Sequence, residues 1–435
     1  MHIKIFKYYS IAALLGIFVG IIGSLFMLLI KSTSHLLDNS LDYIKSIGGP
    51  VELFSAIISM VMIYSAWLLV KLVSLDASGS GVQEIEGALL HKRNILWRRV
   101  LPVKFIGGIL AISAKLVVGR EGPTIHIGGS LGEMIGEWFK LSRRRTDSLV
   151  AAGAAAGLAV AFNAPLAGIL FVMEEMRTGF NFSFSNFSAV AISCVMSVIM
   201  LHYIVGSDPA IPMAVFSLPS LQSLWLFFIF GIVVGFVGLI FNIVLMKSLY
   251  KSDKLSSFSR DVYVILVGLI VGFLVYIRPE IVGGGYEIIE KSLTMNNSFL
   301  FLGIIFILRF IMTIVSYNTG VPGGIFAPML ALGTLLGLAL ANIFQWFSTD
   351  ITVHTGMFAV VGMGALFASV VRAPVTGIVL VVEMTQNYSM ILPLMVACLT
   401  ATTVVQLAGN QPIYTQLLRR KLVSKVKNQI GALNE

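Results

Sequence analysis

Apolar residues along this chain do not alternate with polar ones; they gather into long runs set apart by short polar turns. Residues 11–30, 53–70, 223–246, 262–277, 298–317 and 390–408 are runs of this kind, each with at most one charged residue and each near the length at which an α-helix crosses a bilayer. The pattern predicts an all-α polytopic membrane protein. The first run is too long for a cleaved signal peptide and lacks a small-residue exit, so it reads as a retained span.

Composition agrees and removes other classes. Of 435 residues 57% are hydrophobic and only 12% charged, with a mean hydropathy of +0.92, far from the usage of soluble domains. The net charge of +9 is gathered in turns, mainly HKRNILWRR (91–99), SRRR (142–145) and RRKLVSKVK (419–427). Basic turns flank spans on the cytoplasmic side, so topology accounts for them without nucleic-acid binding, and the basic segments at both ends place both termini in the cytoplasm. Cys194 and Cys398 lie in apolar runs and read as core residues. The six histidines show no metal-ligand spacing, so neither a metal nor a cofactor is expected.

The chain repeats itself. GAAAGLAVAFNAPLAGILFVMEE (153–175) laid over GMGALFASVVRAPVTGIVLVVEM (362–384) gives nine identities in 23 positions, among them Gly153/Gly362, Pro165/Pro374, Gly168/Gly377 and Glu174/Glu383. Upstream, Pro123, Gly128 and Gly132 align with Pro328, Gly333 and Gly337. One transport domain (1–435) with corresponding halves at 11–205 and 223–430 is the expected organisation. Paired halves with apolar segments interrupted by Gly and Pro in matching places point to a secondary transporter whose site lies at the repeat interface.

Three glycine-rich breaks each run into a helix start: SGSGVQEIEGAL (78–89), GREGPTIHIGG (119–129) and VPGGIFAPMLALG (321–333). Each leaves first-turn N–H groups without partners and turns a positive dipole end toward whatever sits there, which is an anion site that needs no lysine or arginine. The plainer reading of any one break is a hinge or cap required for packing. GREGP also places an acid, Glu121, beside Arg120 at such a start, and a carboxylate inside a bilayer is costly.

These residues carry a resemblance. GSG at 79–81 followed by EIEGAL, GREGP at 119–123, GGIFAP at 323–328 and the late tyrosine of QPIYTQLL resemble the CLC chloride channels and chloride/proton exchangers, most closely the bacterial exchangers. The resemblance covers nearly the whole chain. It implies a CLC-type fold of two inverted-topology repeats with tilted, unequal and discontinuous helices, and a homodimer with one ion pathway per subunit in a bacterial inner membrane. Chloride and protons would be the substrates. Chloride would be held by the hydroxyls of Ser80 and Tyr414 and the amides of Ile325 and Phe326, with Gly79, Gly81, Gly122 and Gly324 as supporting positions. Glu121 would be the gate: ionised, it satisfies the same amides as chloride and plugs the site, and protonated it yields. Arg120 beside it would favour the ionised form. Glu175 would be the inner proton-transfer residue and Glu174 its neighbour along the water path, whereas channels of the family usually lack an acid at the Glu175 position. Glu86 and Lys104 stand where the family buries an ion pair.

Other readings stand beside these. Ser80-Gly81-Val82-Gln83 fits an S-x-x-Q capping box, which would by itself explain the serine. Gln83 departs from the family, where proline is usual, while Ser80 itself looks like the chloride-preferring rather than the nitrate-preferring version. Glu175 could pair with Arg177 at the membrane edge, and Glu121 could be a plain helix-start acid. GGSLG (128–132) matches the hydrolase motif G-x-S-x-G, yet Ser130 lies in a helix-like run with His126 and without a strand or an orienting acid. A passive CLC-type channel is the main alternative to exchange, and a fluoride-selective relative would be expected to differ at the Ser80 and Tyr414 motifs. Since the chain ends soon after Tyr414, no cytoplasmic nucleotide-binding pair of domains is expected.

Overall fold

The computed structural model describes residues 2–217, 221–294, 298–347 and 354–433. The named elements among them are helical. The first half runs α1 (His2–Ser46), α2 (Val51–Val73), α3 (Val82–Leu89), α4 (Trp97–Ser113), α5 (Glu121–Trp138), α6 (Arg143–Phe162), α7 (Pro165–Glu174) and α8 (Phe184–Ile204). The second runs α9 (Leu224–Ser252), α10 (Ser257–Ile277), α11 (Tyr286–Thr294), α12 (Phe299–Asn318), α13 (Phe326–Phe347), α14 (Thr355–Val371), α15 (Pro374–Thr385), α16 (Ile391–Leu407) and α17 (Ile413–Leu433).

Eight of these helices are long and apolar enough to cross a membrane. The six apolar runs fall in α1, α2, α9, α10, α12 and α16, and the two further candidates, α8 and α13, lie outside those runs. α8 is interleaved with serines because it packs closely on α1. Ser193 Oγ donates to Ala12 O at 2.7 Å, and a Cβ added at Gly16 or Gly20 would collide with α8. α1 has 45 residues, about 68 Å at the helical rise, against a hydrocarbon layer of about 30 Å, so it tilts or projects beyond the bilayer.

The centre is built from helices with almost no side-chain bulk between them. Residues 148–162 of α6 are all buried, most of them Ala or Gly. A Cβ at Gly128 of α5 would strike the Gly153 carbonyl of α6, and one at Gly153 would strike Gly128 in return. Gly333 of α13 and Gly362 of α14 make the same reciprocal approach, as sequence correspondence leads one to expect. Glycine is required at all four positions because backbone meets backbone. α6 and α14 also end alike, on left-handed Asn163 and Arg372, each followed by Ala-Pro with the proline at the first position of α7 or α15.

The two short helices that follow cap each other. Glu174, the last residue of α7, accepts from the amides of Val375 (3.1 Å) and Thr376 (2.6 Å) at the start of α15. Glu383, near the end of α15, accepts from the amides of Leu166 (3.1 Å) and Ala167 (2.8 Å) at the start of α7. The matched pair Glu174/Glu383 therefore satisfies donors left without partners at the starts of the two short helices.

Side-chain contacts bring the basic turns together on one face. Tyr8 donates to Ser148, and Asp147 faces both Arg143 and His91. Arg93 pairs with Asp76 and Glu84, Lys421 lies 3.7 Å from Glu84, and Arg420 pairs with Asp253. Residues near both ends of the chain thus share a face with the 91–99 and 142–145 clusters.

Candidate functional site

The three glycine-rich breaks meet. Gly119 and Gly324 exchange two backbone hydrogen bonds, 2.7 Å from Gly119 N to Gly324 O and 2.8 Å in return. Gly79 N donates to Val321 O at 3.2 Å, and Gly323 N donates to Gly79 O at 3.1 Å. Strand-like bonds between isolated residues stitch the loops, so that the starts of α3, α5 and α13 converge on one buried place. Two glycines are there for close approach: Gly81, at φ +94°, lies against the His126 ring, and Gly122 lies against Ser80.

Ser80 does not cap α3. The N-cap is the left-handed Gly81, without a side-chain cap bond, so the turn into the helix is made one residue later than the S-x-x-Q pattern expects. The Ser80 hydroxyl is fully buried against Gly122 and completes no hydrogen bond of ordinary geometry. The Tyr414 hydroxyl is in the same condition. The Tyr414 ring stacks on Phe326, the first residue of α13, with centroids 5.7 Å apart, and Phe326 also packs on Phe367 and on Phe171 of α7. The Ser80 and Tyr414 hydroxyls, which act on each other, thus lie buried by the start of α13, whose first-turn amides have no partner within the helix, and together they form a donor set suited to a weakly hydrated anion.

Glu121 is the first residue of α5 and is fully buried. Its Oε1 accepts a 2.7 Å hydrogen bond from the Tyr286 hydroxyl. Oε2 lies against Gly119 without a hydrogen bond of ordinary geometry, although the amides of Glu121 itself and of Ala327 in α13 act on the carboxylate. Arg120 makes no direct ion pair with its neighbour, although its charge acts on Glu121; Nη2 donates to Ala161 O at 3.2 Å and the guanidinium lies 4.7 Å from the Tyr286 ring centre. A cavity of about 140 Å³, lined by Lys115, Gly119, Arg120, Tyr286 and Glu287, approaches Glu121 from the side away from the basic face.

Lys104 corrects another expectation. Its fully buried ammonium donates to Ala77 O (3.0 Å) and Gly79 O (2.6 Å), and among the described residues no ion pair joins it to Glu86. The carbonyls of the loop before Ser80 are close enough to satisfy the ammonium, whereas Glu86 points the other way, to a 3.4 Å contact with Thr415 Oγ1. The acid whose charge acts on Lys104 is Glu84, two residues earlier. Sequence reading also passed over Tyr317, whose hydroxyl accepts from Ser80 N at 3.4 Å, and over Tyr286.

Glu175 sits just after α7, buried, with Oε1 unpartnered, and forms no ion pair with Arg177 among the described residues. It lines a cavity of about 810 Å³ on the basic face together with Glu86, Glu174, Arg177, Thr415 and Arg419. Glu174 lines this cavity beside Glu175, and both its oxygens also accept from the first amides of α15. Ser130 and His126 lie within the uninterrupted α5, without the strand-to-helix turn a hydrolase serine needs.

Comparison with known proteins identifies the family. A family model described as "Voltage gated chloride channel" matches residues 58–406. The protein named H(+)/Cl(-) exchange transporter ClcA of Vibrio parahaemolyticus is 43% identical over 424 residues, 96% of this chain and 90% of that one, and its namesake in Salmonella paratyphi C is 40% identical over 433 residues, 98% and 92%. A solved structure of a slow cyanobacterial Cl⁻/H⁺ antiporter superposes with a TM-score of 0.92 at 38% identity, covering 96% of this chain and 98% of that one. A CLC-type fluoride/proton antiporter, 18% identical over 96% of this chain and 98% of its own, shares the fold with a TM-score of 0.78. These relatives are transporters rather than enzymes, and the chain belongs to the CLC family, the voltage gated chloride channel family of that model.

Proposed function

We propose that this protein is a secondary active transporter that exchanges chloride for protons across a membrane. The observation that carries the reading is the Glu121 carboxylate buried at the junction of three helix starts, near the buried hydroxyls of Ser80 and Tyr414, neither of which completes a hydrogen bond of ordinary geometry. A carboxylate and a chloride are alternative monovalent occupants of one set of donors. Ionised, Glu121 fills the place an anion would take; protonated, it loses its charge and its claim on the amides of α13, and chloride enters. Proton binding and chloride binding at one place are thereby linked, which is the thermodynamic basis of coupled exchange.

Chloride is held by the Ser80 and Tyr414 hydroxyls and the amides of Ile325 and Phe326, and protons reach the basic face by way of Glu175. The unpaired Glu175 oxygen at a wide cavity supports the second assignment. The matched crossings and the reciprocal caps of α7 and α15 support two halves of opposed orientation. In that arrangement the basic face is cytoplasmic, both termini lie there, and the protein works as a homodimer in a bacterial inner membrane.

The test is purified protein in liposomes under a steep chloride gradient with no pH gradient and a pH electrode outside. Chloride movement drives protons against their own gradient in the wild type. In Glu175→Gln chloride still flows and proton movement is lost. Chloride flux without protons in the wild type would make the protein a passive channel and return Glu175 to a structural acid.

A further inference from the structure

We infer that Tyr286 is a latch on the gate: its phenol holds ionised Glu121 in the plugging position and so sets how strongly chloride must compete to enter. The inference rests on the reading of Glu121 as the rival of chloride.

A carboxylate accepts a hydrogen bond best when ionised, and a bond to a charged oxygen is about twice as strong as one between neutral groups. The 2.7 Å bond from Tyr286 to Oε1 therefore stabilises the ionised, plugging gate over the protonated, released one. Tyr286 itself is held stiffly, although it starts a short helix and is only half-buried. The loop before it is tied by Arg309, a buried guanidinium of α12 with no carboxylate partner among the described residues, which donates to Glu280 O (2.9 Å), Val282 O (2.9 Å) and Gly283 O (2.8 Å). Gly283 N donates to Lys115 O at 2.7 Å, and Lys115 Nζ pairs with Glu287 at 2.7 Å, one residue beyond the tyrosine. Gly285, at φ +120°, is pressed against Ala327 and Ala331 of α13, where a side chain would not fit. Four anchors fix the place of one hydroxyl, and Arg120 over the ring strengthens the phenol as a donor. Tyr286 is thus a positioning residue: it acts on chloride through Glu121.

Calorimetric titration of chloride into the purified full chain tests this with a double-mutant cycle. Tyr286→Phe, which keeps the ring, tightens chloride binding about tenfold, the worth of one hydrogen bond to a charged acceptor. Tyr286→Leu does the same. In a Glu121→Ala background neither substitution changes chloride affinity, a separation that a merely structural role for the ring would not produce. Incorporation of 3-fluorotyrosine at Tyr286, a stronger donor of the same shape, moves affinity the other way and keeps the test open should a deletion of the hydroxyl misfold. An effect of Leu without an effect of Phe, or equal effects in both backgrounds, would overturn the latch. If Glu121→Ala itself fails to tighten chloride binding, the reading of Glu121 as competitor falls, a result distinct from failure of the latch alone.

Discussion

Two sets of helix N-termini lie inside this protein, and both attract carboxylates. At α7 and α15 the acid comes from the end of the opposite short helix, both oxygens engage amides, and the two caps are reciprocal. Where α5 meets α13 the acid is the first residue of α5 itself, one oxygen is held by a single phenol, and the other completes no bond of ordinary geometry. The first arrangement saturates its donors and is structural. The second leaves donors and acceptors under-satisfied, which lets an exchangeable anion take the place of the side chain. Satisfaction of hydrogen-bonding capacity, more than the presence of an acid at a helix start, separates a cap from a gate.

Substitutions can break this comparison. The largest effect is expected at Glu121: Glu121→Ala abolishes chloride-driven proton movement in liposomes while chloride still passes, and retained coupling would place the gate elsewhere. Next comes Lys104→Met, which leaves the Ala77 carbonyl buried without a donor and the Gly79 carbonyl with the Gly323 amide alone, and lowers stability by about 3 kcal/mol, seen as an earlier thermal transition in detergent. A variant as stable as wild type would show that the ammonium is not what holds the Ser80 loop. Glu174→Gln and Glu383→Gln sharpen the comparison, each losing about 2 kcal/mol and, as reciprocal caps, by similar amounts, with exchange still coupled in both. Loss of coupling in Glu174→Gln alone would place that residue on a proton path. The smallest effect is at the pocket hydroxyls, where Ser80→Ala and Tyr414→Phe each weaken chloride binding by about 1.5 kcal/mol, about tenfold by calorimetry, because the amides of α13 remain.

The parts of the molecule legible in the sequence are those written in local pattern. Apolar runs located six of the spans, and the glycines at 128, 153, 333 and 362 stood out as matching positions of the repeat, although that they are crossings, where backbone contact admits no other residue, is visible only in the structure. The breaks before α3, α5 and α13 were visible as helix starts, and their convergence followed from the resemblance rather than from spacing. What escaped was decided by partners far along the chain. α8 carries serines that look polar alone and are satisfied by α1, 181 residues distant for Ser193. Lys104 had an acid available at the expected place and took carbonyls instead, because a buried ammonium with three donors is better served by two fixed oxygens nearby. Tyr286 starts α11, 165 residues after Glu121, and nothing in GGGYEII announces its hydroxyl as a partner of the gate.

The glycine crossings bear on mechanics as well as on packing. Where α5 lies on α6 and α13 lies on α14, carbonyl abuts α-carbon with no side chain between them. Side chains are the compliant layer of most helix interfaces, since their rotamers absorb a displacement of a few tenths of an ångström. Without that layer each of the two pairs is a stiff block in which a push on one helix is passed to its partner. Motion beside such blocks costs least where a single side chain swings about its own bonds, and Glu121, at the first residue of α5, is such a side chain once its bond to Tyr286 is broken.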